Sequence, residues 1–266
     1  MKKYLAFFRL HFTMGLQYRV AALAGVATQF AWGFLEILTF HAFYETAPEK
    51  FPMSLSATVS YVWLQQAFLA FFVVWMMEND IFQAIIDGNI AYELCRPIHI
   101  YNMWFSRSVA NRIARAVLRC FPILILAVFL PESYGIGKPS GTDLILFFIT
   151  LFLGLMVVVA FCMLVYALAF FTISPEGLRI LITSGVELLS GALIPIPFFP
   201  PGIRRVLEIL PFASMQNVPL RIYGGSMSGE EIKRAVLLQV IWLVILIAGG
   251  KGLCRLAERK AIVQGG

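Results

Sequence analysis

Glu36 and Glu187 are carboxylates set inside long apolar runs of the chain. An acid held in hydrocarbon is costly, so such residues face a bundle interior or a water-filled cavity. There they carry a proton or bond a neighbouring helix, and the residues fit both roles equally. Gln29, Gln65 and Gln66 are polar companions in similar surroundings. A second set gathers in DGNIAYELCRPIHIYN, residues 87–102, a hydrophilic stretch between apolar runs. It holds Asp87, Glu93 and Arg96, with Gly88 and Pro97 as helix breakers. Acidic on one side with arginines beyond, it suits docking to another protein, or it is an ordinary interfacial loop. Arg112, Arg115 and Arg119 form a third set, spaced by three and four on one helix face. Arginines near the end of a span reach lipid phosphates. The alternatives are a partner subunit or an anionic substrate.

No catalytic set accompanies them. His11, His41 and His99 are far apart, and neither H-E-x-x-H nor G-x-S-x-G occurs. No cysteine–histidine group has metal-ligand spacing. The two Gly-Lys pairs, at Lys138 and Lys251, lack the upstream glycine and the following Ser or Thr of a nucleotide loop. The chain is expected to be no enzyme and to bind no metal or cofactor of its own.

The elements that position these residues follow from composition. Hydrophobic residues make up 60% and charged residues 14%, against about 45–50% and about 25% in an average soluble domain. The mean hydropathy is +0.82. Most of the surface must therefore face lipid, and the chain is expected to be an all-α integral membrane protein, a single membrane domain over 1–266. The net charge of +6 is spread between apolar runs rather than gathered in one patch. It reads as topology-setting charge rather than a nucleic-acid surface. Cys120 and Cys162 lie in apolar runs and Cys95 and Cys254 on the side assigned as inner, so no disulfide framework is expected.

A crossing helix needs about 20 apolar residues. Six spans are predicted, over about 20–44, 57–77, 109–130, 144–172, 178–194 and 235–253. With both termini inside, 14 of the 21 Lys and Arg fall on the inner side and 7, Lys50 among them, on the outer. Residues 1–19 carry Leu5, Phe8, Phe12 and Leu16 at helical spacing and read as an amphipathic interfacial helix. A retained, uncleaved signal is the alternative. Ile81, Ile85 and Ile86 predict a short helix ended by Asp87-Gly88, with a further turn over Ala91 to Cys95. Pro195, Pro197, Pro200 and Pro201 stop the fifth span. GIRRVLEILPF then reads as a short amphipathic helix with Ile203, Val206, Leu207 and Leu210 on one side. It is either a helix that dips back under protein cover or a plain outer loop.

GLQYRVAALAGVATQFAWGFLEI, GNIAYELCRP, ELLSGALIPIPFFPPGIRRVLEILPFASMQNVP and the terminal IVQGG give the chain a family likeness. It resembles the membrane permease subunit of ABC transporters of the type-2 export family, particularly a bacterial six-span subgroup. The resemblance implies a dimer with a like or homologous permease in the bacterial plasma membrane. Two separate ATPase subunits would hold the ATP and Mg. It further implies a cytoplasmic coupling helix between spans two and three, with Asp87, Gly88, Asn89, Glu93, Arg96 and Pro97 at the docking surface. Glu36, Gln29, Gln65 and Glu187 would lie near the pathway or the dimer interface, and Pro195, Pro197, Pro200 and Pro201 in an outer gate segment. The alternative is an ion- or proton-coupled carrier working alone, with Glu36 or Glu187 as the proton site.

Overall fold

The computed structural model describes residues 2–46 and 51–260; Lys50, the side chain of Lys260 and the terminal IVQGG lie outside them. Among the described residues there are twelve α-helices and one 3-10 turn, with no strand. Backbone pairing is therefore mostly within helices, as lipid requires of anything but a closed barrel.

Three helices are long and apolar enough to cross a membrane: α2 (Arg19–Thr46), α8 (Gly141–Ala169) and α12 (Gly229–Lys260). Helix α8 is apolar on every side and forms the centre of the bundle. Its Gly154 is required by close approach, since a Cβ there would stand 2.4 Å from the Met215 carbonyl oxygen. Gln239 of α12, fully buried, donates to the carbonyls of Thr150 (3.1 Å) and Ser214 (2.9 Å). Polar bonds of this kind join helices where no hydrophobic force separates helix from lipid.

The other three expected spans differ from their predicted bounds. The third apolar run belongs to α7 (Ile100–Phe129), which begins well before residue 109. At 1.5 Å per residue its 30 residues run about 45 Å, beyond the roughly 30 Å hydrocarbon core. The fifth, α9 (Pro175–Leu189), has only 15 residues and ends before residue 194. The second is not continuous. Helix α3 (Leu55–Ala67) stops at Phe68, α4 (Leu69–Phe72) adds one turn, and the chain is extended at Val73. A side chain from across the bundle serves carbonyls left free where α4 ends. Arg112 of α7, 1% exposed, donates through Nη1 to the carbonyls of Ala70 (2.9 Å) and Val73 (2.7 Å). Its Nη2 lies 3.5 Å from the Cys162 sulfur. The side chain expected to reach lipid phosphate is thus turned inward, satisfying the carbonyls that the broken helix frees.

Helix α1 (Lys2–Leu16) runs beside the first half of α7 in the same direction. Ser106 donates to the Tyr4 carbonyl (3.1 Å), and Gly15 lies so close to Ala114 that a Cβ would meet it at 2.7 Å. Leu5 of the expected apolar stripe is exposed, while Phe8 is partly buried against the core. All four cysteines are free, and only Cys95 is exposed.

Candidate functional site

The hydrophilic stretch forms an elbow of two short helices, α5 (Asn79–Ile86) and α6 (Ile90–Leu94). Gly88 joins them at φ +72°, a left-handed conformation that glycine adopts without strain. Ile81 and Phe82 anchor α5, the Phe82 ring lying edge-on to Tyr166 of α8 at 5.1 Å. Ile85 is only partly buried and Ile86 is exposed, so the expected isoleucine face holds at its first residue alone.

The root of the elbow is tied to three helices. Asp80 pairs with Arg107 of α7 and Asn79 accepts from Arg179 of α9. The backbone N–H of Glu78 donates to the Tyr166 hydroxyl (2.5 Å). The buried Glu78 carboxylate accepts from Asn111 (2.9 Å) and lies 4.0 Å from Arg107. The Arg179 guanidinium also sits 5.5 Å from the Phe82 ring centre. Helix α5 cannot tilt without pulling α7, α8 and α9.

The tip is different. Asp87, Asn89, Cys95, Arg96 and Pro97 are exposed, and Tyr92, Ile86 and Leu94 add exposed apolar surface beside them. Glu93 is half-buried, and its carboxylate accepts from the Trp104 indole (2.6 Å), joining α6 to α7. Lys3 of α1 donates to the Pro97 carbonyl (3.4 Å), bracing the far end.

On the opposite side of the bundle the chain folds back on itself. After α9, Gly191 takes φ +85°. Its carbonyl accepts from Tyr61 (3.1 Å), and that of Ala192 from Gln65 (2.8 Å), both donors being on α3. Pro195 and Pro197 are buried around the 3-10 turn Ile196–Phe198; Pro200 and Pro201 are exposed at the start of α10 (Pro201–Ile209). Only Leu207 of the expected α10 face is buried, with Ile203 and Val206 in the open. Helix α11 (Asn217–Tyr223) then enters the bundle between α3 and α8, buried through Ile222. Glu208 joins the two short helices, accepting from Arg204 (2.9 Å) and Arg221 (3.1 Å).

Glu36 lies at a side opening where this segment meets α2. The cavity holds about 590 Å³ and is lined by Trp32, Phe40, Phe43, Phe51, Leu193 and Phe198, among others. Gln66 is the hydrogen-bonding neighbour of the Glu36 carboxylate. Gly33 lets α2 come this close, since a Cβ would stand 2.9 Å from Gln66. Gln65 joins the same region through Ala192. Gln29 is buried elsewhere on α2, and Glu187 is half-buried on α9; neither lines this cavity. Among the described residues no group of His, Cys, Asp and Glu could hold a metal ion.

The sequence family model described as ABC-2 family transporter protein matches residues 30–253. The chain belongs to this family. Comparison with curated proteins and with solved structures gives no match. The matched range takes in the elbow, the Glu36 cavity and the folded-back segment, and leaves out α1. ABC-2 proteins are membrane components of transporters, not catalysts themselves, and the family implies ABC ATPase partners in general.

The ABC-2 chain also holds residues that pattern reading passed over. Glu78, Asn79 and Asp80 form the elbow's root, and their signal was present: a polar triplet, END, directly before an amphipathic turn. Gln239 interrupts an otherwise apolar run in α12.

Proposed function

We propose that this ABC-2 protein is the permease subunit of an ATP-driven exporter, working as a dimer with two separate ATPase subunits. It would cross the bacterial plasma membrane six times, through α2, α3–α4, α7, α8, α9 and α12. Both termini and α1 would lie on the cytoplasmic side. The observation that carries this reading is the construction of the elbow, which is locked by its root to α7, α8 and α9 and bare at its tip. A bare tip with mixed charge and exposed Tyr92 suits a groove on a partner. A locked root passes the partner's movement to three spans at once. ATP binding closes the ATPase pair, the elbows move with it, and the pathway between the two permeases changes its open side. Asp87, Gly88, Asn89, Arg96 and Pro97 form the docking surface, with Glu93 as its brace.

The Glu36 cavity lies against the outward faces of α2 and the 192–194 segment. Trp32, Leu35 and Phe43 of α2 and Ile180, Leu181 and Leu188 of α9 are exposed, a surface suited to a second permease. Facing cavities would form one pathway at that interface, closed on the far side by the folded-back segment. Affinity purification from native membranes in mild detergent tests the reading. An ABC ATPase should be recovered with the chain; recovery of the folded chain alone would defeat it.

The Glu36 cavity also favours a second reading, a proton-coupled carrier. Uptake driven by a proton gradient in vesicles lacking any ATPase would select it.

A further inference from the structure

Of the three arginines on one face of α7, Arg112 is engaged inside the bundle, and the other two remain. Arg115 and Arg119 form no ion pair or hydrogen bond with any described side chain or carbonyl, and the Arg119 Nε is buried without a partner. Both line a groove of about 400 Å³ between α1, α2 and α7, which His11, Met14, Arg107 and Leu118 also border. Glu78 and Asp80 occupy Arg107. Burial, followed by the nearby Arg107, lowers the His11 pKa, with Glu78 and Asp80 opposing, so the imidazole is neutral at pH 7. The uncompensated charge in the groove therefore belongs to Arg115 and Arg119.

The arrangement places them for an anion. One helical turn apart, they present two guanidinium forks toward one space, a geometry matched by phosphate oxygens. Gly25 of α2 leaves room for Arg119, because a Cβ there would stand 2.8 Å from the guanidinium carbon. The groove continues into an apolar surface. Leu118 is followed on the same face by Phe121 (62% exposed) and Ile125 (55%). A phosphate at one end and a greasy track leading from it match an anionic phospholipid.

We propose that the α1–α2–α7 groove is a binding site for the phosphate of an anionic phospholipid, held by Arg115 and Arg119. The site is independent of the exporter reading, since it requires only that the chain sit in a bilayer. Bound lipid would brace α1 against α7 beside Arg107, one of the elbow's ties.

Native mass spectrometry of the full chain in detergent tests this, with dioctanoyl phosphatidylglycerol, dioctanoyl phosphatidylcholine and inorganic phosphate as probes. The glycerol lipid should be retained about tenfold better than the choline lipid, and R115Q/R119Q should lose about tenfold in its retention. Gly25→Val should lose a similar part by displacing Arg119 without changing charge. R115K/R119K, which keeps both charges without the forks, should recover only part of the binding and serves as the control for folding. Equal retention of both lipids, or unchanged retention in R115Q/R119Q and Gly25→Val alike, would overturn the site. Displacement of the lipid by an equal concentration of inorganic phosphate would overturn the lipid as its source and leave a free-phosphate site.

Discussion

The elbow at residues 78–97 and the folded-back segment at residues 190–223 both interrupt the bundle, and they are held by different means. The elbow's root is held mostly by charge: Asp80 to Arg107, Arg179 to Asn79, Asn111 to Glu78. The entry to the folded-back segment is held by neutral donors, Tyr61 and Gln65, reaching peptide carbonyls. Its later part is buried between α3 and α8. Partly exposed ion pairs contribute little to stability but are directional and respond to a partner's field. Buried neutral bonds avoid the cost of desolvating charge and keep a segment still. The proposed mechanism puts movement at the elbow; in the folded-back segment charge enters only past its entry, where Glu208 pairs with Arg204 and Arg221. Arg112 is an informative exception, a buried cation whose fork is spent on two carbonyls that nothing else reaches.

Variants that break the rigid parts should cost the most. Arg112→Leu strips the partners from the Ala70 and Val73 carbonyls, at about 1–3 kcal/mol for each group left bare. A large fall in unfolding temperature in detergent, with loss of the monodisperse peak, is expected. Stability like that of the unaltered chain would mean the α3–α4 break holds itself. Gly154→Val comes next, because its side chain must push Met215 away from α8; overpacking of this kind costs about 1–3 kcal/mol, readable in the same assay.

Variants at the elbow sharpen the comparison from the other side. Asp80→Asn removes an ion pair whose acid is 60% exposed, so about 0–1 kcal/mol of stability should be lost. ATPase recovery should persist while export per ATP hydrolysed falls; unaltered coupling would remove the root from the mechanism. Asp87→Ala with Arg96→Ala should change stability by no more than about 0.5 kcal/mol, yet lower ATPase recovery. Glu36→Gln should leave both stability and ATPase recovery alone and reduce export only, and full export would make Glu36 structural.

Much of the fold was legible because the apolar runs that cross lipid are long and their charges fall between them. The elbow was legible for a similar reason, since Gly88 marks the joint between its two helices and Pro97 its end. What escaped depends on contacts between distant parts of the chain. The interruption over 68–73 lies in an apolar run that only Gln65 and Gln66 precede, and Arg112, which takes up carbonyls freed there, is remote in sequence. The same distance hid the direction of Arg112 itself, which shares a face and a spacing with Arg115 and Arg119. Nothing local reveals that the Trp104 indole reaches Glu93. Only Leu207 of the expected α10 stripe is buried, because the helix lies on the protein along a narrower line than its composition suggests.

Cys95 offers the most direct measurement, since it is the one exposed thiol and stands at the bare tip of the elbow. In native membranes a membrane-impermeant maleimide should label it only from the cytoplasmic face, and the bound ATPase should slow that labelling until the partner is stripped away. Labelling from the outer face, or labelling that the ATPase leaves unchanged, would contradict a docking tip.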